Sequence, residues 1–109
     1  MKRVVNTSGL IYCFDIDQTI CESNPSNYSM AAPFKDRIDA INALYDAGNT
    51  IIFNTARGAL SGLDFSDLTF QQLNAWNVRF HKLYMKKPFA DLYIDDKGIG
   101  DQDFFRDYV

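Results

Sequence analysis

Three short apolar runs, each broken off by polar or acidic residues, constrain this chain more than any other feature. Leu10-Ile11-Tyr12-Cys13-Phe14 runs into Asp15 and Asp17; Thr50-Ile51-Ile52-Phe53 runs into Asn54-Thr55-Ala56-Arg57-Gly58; and the stretch from Ala90 to Ile94 runs into Asp95-Asp96. Continuous apolar runs suit strands covered on both faces, as in a parallel sheet. Between the first two, Pro33 opens a helix whose apolar positions Phe34, Ile38, Ile41, Leu44 and Tyr45 recur at helical spacing, and Gly48 suits its left-handed C-terminal cap. Thr69 and Gln72 have capping-box spacing for a second helix through Leu73 and Trp76, ended by Asn77, and Val78 to Tyr84 suits a short strand. Ser, Asn and Pro dominate from Cys21 to Ala32, which predicts a loop or flap over the end of the first strand. The tail from Asp101 to Val109 suits a short aromatic helix or coil.

Strand, helix, strand, helix, strand predicts right-handed crossover units, a mostly parallel sheet and an α/β fold of Rossmann-like, three-layer type. With 109 residues, one domain over 1–109 is expected. Nearly half the residues are apolar and sixteen are Phe, Tyr or Trp, ample for a core and too apolar for intrinsic disorder. A net charge of −3 gives no basic footprint for nucleic acid. No apolar run approaches a membrane span, and the first residues reach Asp15 without a secretory cleavage pattern, so a cytoplasmic protein is expected. Cys13 and Cys21 are too few for a disulfide framework; Cys13 reads as a core residue and Cys21 as a loop or helix residue.

In open α/β sheets ligands bind beyond the carboxyl ends of the strands, so the three polar termini should converge on one site. Asp15 and Asp17, one residue apart, can point to the same side as the strand runs out. A carboxylate can attack phosphorus to form an acyl phosphate, with a second acid protonating the leaving oxygen. Asp15 suits the first role and Asp17 the second. Thr55, Arg57 and the backbone N–H groups around Gly58 are donors suited to phosphate oxygens, and Lys86-Lys87-Pro88 offers a point charge against the transition state. Asp95-Asp96 adds the oxygen ligands that a hard cation such as Mg²⁺ prefers.

With these four elements in this order, the chain resembles the haloacid dehalogenase superfamily of phosphohydrolases. The matching residues are Asp15-Ile16-Asp17-Gln18-Thr19, Thr55, Lys87 before Pro88, and Asp95-Asp96. The resemblance implies Asp15 as nucleophile, Asp17 as acid/base whose carbonyl also faces Mg²⁺, Thr55 and Lys87 on the phosphoryl group, and metal ligation by Asp95 and Asp96. Gln18 stands where the family usually has glycine. Neither gap has room for a cap domain, so the chain looks like a capless member, similar to small phosphatases of capsule and surface-polysaccharide synthesis. A small phosphorylated substrate such as a sugar phosphate is implied.

Other readings compete. Asp15 and Asp17 could merely end a strand, Asp95-Asp96-Lys97-Gly98 is also an ordinary turn sequence, and Arg57 is equally a salt-bridge residue or a substrate ligand. His81 reads as structural. Phe65, Phe70, Trp76, Phe104, Phe105 and Tyr108 read as core or subunit interface, and Tyr28 is the flap's best candidate for touching substrate. A capless site would need walls borrowed from a homo-oligomer, with Tyr28, Phe104, Phe105 and Tyr108 as candidate contacts. A phosphoacceptor receiver domain shares the residue types, but its acidic pair comes at the first strand. A catalytically silent phosphate-binding module remains the third reading.

Overall fold

The apolar stripe at 34–45 forms the longest helix, α1, Lys35–Asp46, which buries Ile38, Ala40, Ile41 and Leu44. Its end is fixed by chemistry on both sides of Gly48, whose φ of 98° suits glycine. Buried Asn49 donates through Nδ2 to the Leu44 carbonyl at 3.0 Å, and its Oδ1 accepts the Leu10 N–H at 3.2 Å. One side chain thus ties the end of α1 to the start of the first strand.

The structure is a computed structural model that describes residues 7–106. Strand β1, Ile11–Phe14, is followed by β2, Cys21–Glu22, and β3, Ala32–Pro33, which pair antiparallel with each other and pinch off the flap between them. After α1 come β4, Thr50–Asn54, helix α2, Ser66–Ala75, strand β5, Lys82–Tyr84, and helix α3, Asp101–Phe105. The main sheet has the order β1-β4-β5 with both pairings parallel, Tyr12 opposite Ile51 and Phe53 opposite Leu83. Among the described residues this is an α/β fold with a three-stranded parallel sheet and three α-helices.

Burial of the sheet is one-sided. Phe14, Ile51 and Phe53 are in the core, and Tyr12 packs against it. From α3, Phe105 stacks on Phe14 with ring centroids 5.9 Å apart and Phe104 meets Tyr12 at 6.0 Å, so these two aromatics serve the chain's own core. Each large apolar side chain fully buried here is worth ~1.5–3 kcal/mol. The alternate residues of β1 point the other way: Ile11 is 71% exposed, and Cys13, expected in the core, is exposed.

Three further expectations are corrected. The third strand of the sheet is β5, within 78–84, whereas Ala90 to Ile94 forms no strand, with Leu92 and Ile94 77% and 89% exposed. Only 85–91 separate β5 from Leu92, whereas a parallel crossover needs about a dozen residues or more. Helix α2 begins at Ser66, whose N–H bonds Asp64 Oδ1, so Thr69 and Gln72 are buried helix residues and not a cap. Cys21 is buried in β2. Asn77, with a φ of 58°, follows α2 as its spacing predicts, and Tyr108 lies outside the described residues.

Candidate active site

Both acids stand just beyond the carboxyl end of β1, with Ile16 between them fully buried. The Ile16 carbonyl accepts the N–H groups of Thr19 and Ile20, and the turn places Gln18 at a φ of 62°. That is left-handed backbone, in which a non-glycine residue costs ~1–2 kcal/mol. The position therefore suits the glycine that the family resemblance implies, while Gln18 holds it with its own bond, Nε2 to the Ser23 carbonyl at 2.7 Å.

Asp17 is held from several sides. Ser23 Oγ donates to Oδ1 at 2.6 Å, and Arg57 forks onto the carboxylate, Nε at 3.0 Å to Oδ2 and Nη2 at 2.8 Å to Oδ1. The Arg57 side chain is 0% exposed. Its Nη1 donates to Thr69 Oγ1 at 3.1 Å and Gln72 Oε1 at 2.7 Å, and its guanidinium carbon lies 4.7 Å from the centre of the Tyr28 ring. Gln72 Nε2 in turn donates to the Tyr28 carbonyl at 2.7 Å. These contacts make Arg57 a buried ion-pair residue that orients Asp17 and also lines the cavity beside it, and Gln72 ties the flap to α2. Tyr28 and Phe65 meet edge to face at 5.0 Å, so Tyr28 packs within its own chain.

Thr55 follows β4 and is buried; its Oγ1 accepts the Arg57 N–H at 3.2 Å, and its carbonyl accepts the Lys87 N–H at 3.2 Å. It braces the two segments that carry Arg57 and Lys87, and it does not line the cavity. Gly58 does line it, at a φ of 86°, where a Cβ would collide with the Leu63 carbonyl oxygen.

Lys87 Nζ lies 3.6 Å from Asp15 Oδ1 and 4.2 Å from the centre of the Tyr93 ring. Tyr93 is pinned by its hydroxyl, which donates to the Pro88 carbonyl at 2.5 Å. Burial pushes the Asp15 carboxyl above the usual range, Lys87 opposes this, and the Asp17 charge adds to the rise. Asp15, Asp17, Gly58 and Lys87 open on a cavity of about 550 Å³ walled by the flap at 25–29, by Leu60, Leu63 and Phe65, and by Phe89 and Tyr93. All of these walls are residues of the one chain. Lys86 faces a second hollow behind Gly58 and Met85.

Asp95 and Asp96 are not brought to this cavity. Asp95 Oδ1 accepts the N–H groups of Lys97 and Gly98, each at 2.6 Å, which lowers its pKa in an exposed turn. Among the described residues no three acidic, histidine or cysteine side chains gather closely enough to hold a metal ion. Asp15 and Asp17 instead face Lys87 and Arg57. Within one copy, the four acids do not form the ligand set that the resemblance implies for Mg²⁺.

The network contains residues that sequence reasoning missed as site residues: Ser23, Thr69, Gln72 and Tyr93. The i, i+3 spacing of Thr69 and Gln72 was the available signal, since it puts two polar side chains on one helix face. His81 is structural, as its sequence context suggested: Nδ1 accepts the Ile51 N–H at 3.0 Å and the ring stacks on Tyr45. No helix among the described residues is long and apolar enough to cross a membrane.

No family model and no curated protein matches the chain. Among solved structures, a structural-genomics target from Vibrio cholerae is similar in fold, with a TM-score of 0.79 at 22% identity over 86% of this chain and 85% of that one.

Proposed function

We propose that this chain is a phosphomonoester hydrolase of the haloacid dehalogenase type, capless, with Asp15 as the nucleophile. The observation that carries the reading is the meeting of Asp15 and Lys87 at 3.6 Å on a cavity that Asp17 also lines, with Asp17 held by Arg57. Lys87 balances charge on the phosphoryl oxygens while an Asp15 oxygen bonds to phosphorus and the bond to the leaving oxygen breaks. Asp17 takes a proton from the entering monoanionic ester and gives it to that oxygen, then takes one from the water that cleaves the aspartyl phosphate. The Gly58 N–H is a further candidate for phosphoryl oxygens, its neighbours at Arg57 and Ala59 being taken by Thr55 Oγ1 and the Ala56 carbonyl, and Thr55 acts through its hold on the Lys87 segment.

Mg²⁺ would supply charge neutralisation when bound. The resemblance implies Asp15, the Asp17 carbonyl and the Asp95-Asp96 pair as its ligands, of which one copy brings only Asp15 and Asp17 to the cavity. A small sugar phosphate of surface-polysaccharide synthesis fits the narrower resemblance, and a cytoplasmic enzyme with a three-layer core completes the reading. The separation of Asp95 and Asp96 from the cavity favours a second reading, a catalytically silent phosphate-binding module.

Purified protein with Mg²⁺, offered a panel of phosphorylated sugars, nucleotides and peptides, decides between them by phosphate release. Turnover that disappears in Asp15→Asn is expected. Saturable binding of a phosphate ester without turnover would establish the silent module instead.

A further inference from the structure

The segment that carries Asp95 and Asp96 has the wrong surroundings for its sequence. Leu92 and Ile94 are 77% and 89% exposed, and Ile99 further along is also exposed. Isolated exposed apolar residues are ordinary, but these sit in one alternating run that ends in an acidic pair. The sheet has a matching deficiency. Among the described residues strand β1 pairs only with β4, so no described strand covers its other edge, and Ile11 and Cys13 beside that edge are exposed. A free edge with apolar flanks is a template for another strand.

The chain does not readily join these two parts within itself. Lys87 is already anchored at the carboxyl end of the sheet, its N–H on the Thr55 carbonyl and its Nζ near Asp15. To lie parallel to β1, the run would have to start at the opposite end of the sheet and cross from β5 past β4 and β1. The lateral step alone is ~14 Å at the usual strand spacing. Residues 85–91 must also descend the strand length, fewer residues than a parallel crossover takes. Its far end is equally fixed, since Asp101 pairs with Arg37 at 2.6 Å, and Arg37 also holds the Thr19 carbonyl.

We infer that the run at 92–94 pairs with β1 of a second copy of this chain, and that the acidic pair at its end completes the partner's site. The exchange is reciprocal, as two-fold association requires, so each Asp15 and Asp17 faces Asp95 and Asp96 from the other copy. It buries Leu92 and Ile94, satisfies the β1 edge, and supplies the carboxylates that one copy keeps away from its own cavity. The assignment of those carboxylates rests on the phosphohydrolase reading; the strand exchange itself does not.

Light scattering at micromolar concentration tests the exchange without reference to activity. A wild-type dimer is expected, converted to a folded monomer by Leu92→Asp with Ile94→Asp, because both side chains are exposed in the single copy. A wild-type monomer, or a dimer untouched by that pair of substitutions, overturns the inference. The Mn²⁺ affinity, read from its electron paramagnetic resonance signal, should fall at least ten-fold in the monomeric variant; equal affinity in both would remove the acidic pair from the partner's site. Complementation then tests the site directly. Asp15→Asn and Asp95→Asn/Asp96→Asn chains, each inactive alone, are co-refolded in equal amounts. With half the dimers mixed and one complete site of two in each, about a quarter of wild-type activity per chain returns. No recovery beside an active wild type means that the pair acts within its own chain. A dimer that passes the scattering test yet releases no phosphate from any substrate would count against the phosphohydrolase reading and leave the exchange standing.

Discussion

The two acidic ends of the ligand set that the resemblance implies are built in opposite ways. Asp17 is fixed by Ser23 and by an Arg57 that has no exposed side-chain surface, and Thr69, Gln72 and Tyr28 hold that arginine in turn. Asp95 bonds only the N–H groups of its own turn, beyond an apolar run in solvent. A carboxylate paired with a buried arginine must have its charge and hydrogen bonds met by the fold, so its partners are specified along with it. An exposed carboxylate is met by water and leaves its position to whatever else constrains the loop. The first end is therefore complete within one copy; the second is held by its own turn alone.

Removal of Asp15 should have the largest effect. Asp15→Asn is expected to reduce turnover ~10⁴-fold or more, read by phosphate release, because the amide cannot serve as the nucleophile. Its effect on stability has the opposite sign. The folded-state pKa of Asp15 is raised, so its contribution to stability is present below the unfolded carboxyl pKa and is lost as pH rises through the folded value. In protein freed of metal, Asp15→Asn should melt higher than wild type at neutral pH, with the gain shrinking as pH falls through the carboxylate range. A lower melting temperature at pH 7 would mean that the pairing with Lys87 outweighs burial.

Breaking the buried end comes next. Arg57→Ala leaves Asp17 without its cation and should cost ~3–5 kcal/mol, measured by urea unfolding. Asp96→Asn, at the exposed end, should move stability by less than ~0.5 kcal/mol. Similar losses from the two substitutions would abolish the contrast between the ends.

Gln72→Ala strands the Tyr28 carbonyl and one Arg57 donor, at ~1–3 kcal/mol. Its kinetic signature should be a KM rise larger than the kcat loss, since it frees the flap while Asp17 keeps its fork from Arg57. A loss confined to kcat would place Gln72 on the chemical step instead.

Tyr93→Leu removes the ring over Lys87, an interaction worth ~0.5–2 kcal/mol, and should lower kcat several-fold while lowering the melting temperature by only a few degrees. The smallest effect is on the thiols. Exposed Cys13 should react with a disulfide reagent in the native protein, whereas Cys21, pushed up to about 12 mainly by burial, should react only on unfolding. Equal rates would mean that the β2–β3 pair opens freely. Burial of Cys13 in the proposed dimer would slow it, so its rate should increase in the monomeric Leu92→Asp with Ile94→Asp variant.

Much of this was legible along the chain, and the limit has a physical cause. The sequence by itself determined β1, β4 and α1, because apolar runs and 3.6-residue periodicity are local signals, and it put Asp15, Asp17, Arg57 and Lys87 at element ends. It could not assign Arg57 between substrate and salt bridge, since that choice depends on Asp17, Thr69 and Gln72, brought together from distant positions. Nor could it tell which of two apolar runs after α2 would join the sheet. Hydrophobicity favoured the run at 90–94, but chain reach decided for Lys82–Tyr84, a short strand that falls directly beside β4. Local chemistry is written in the order of residues, whereas strand order and buried polar partners depend on which segments the connections allow to meet.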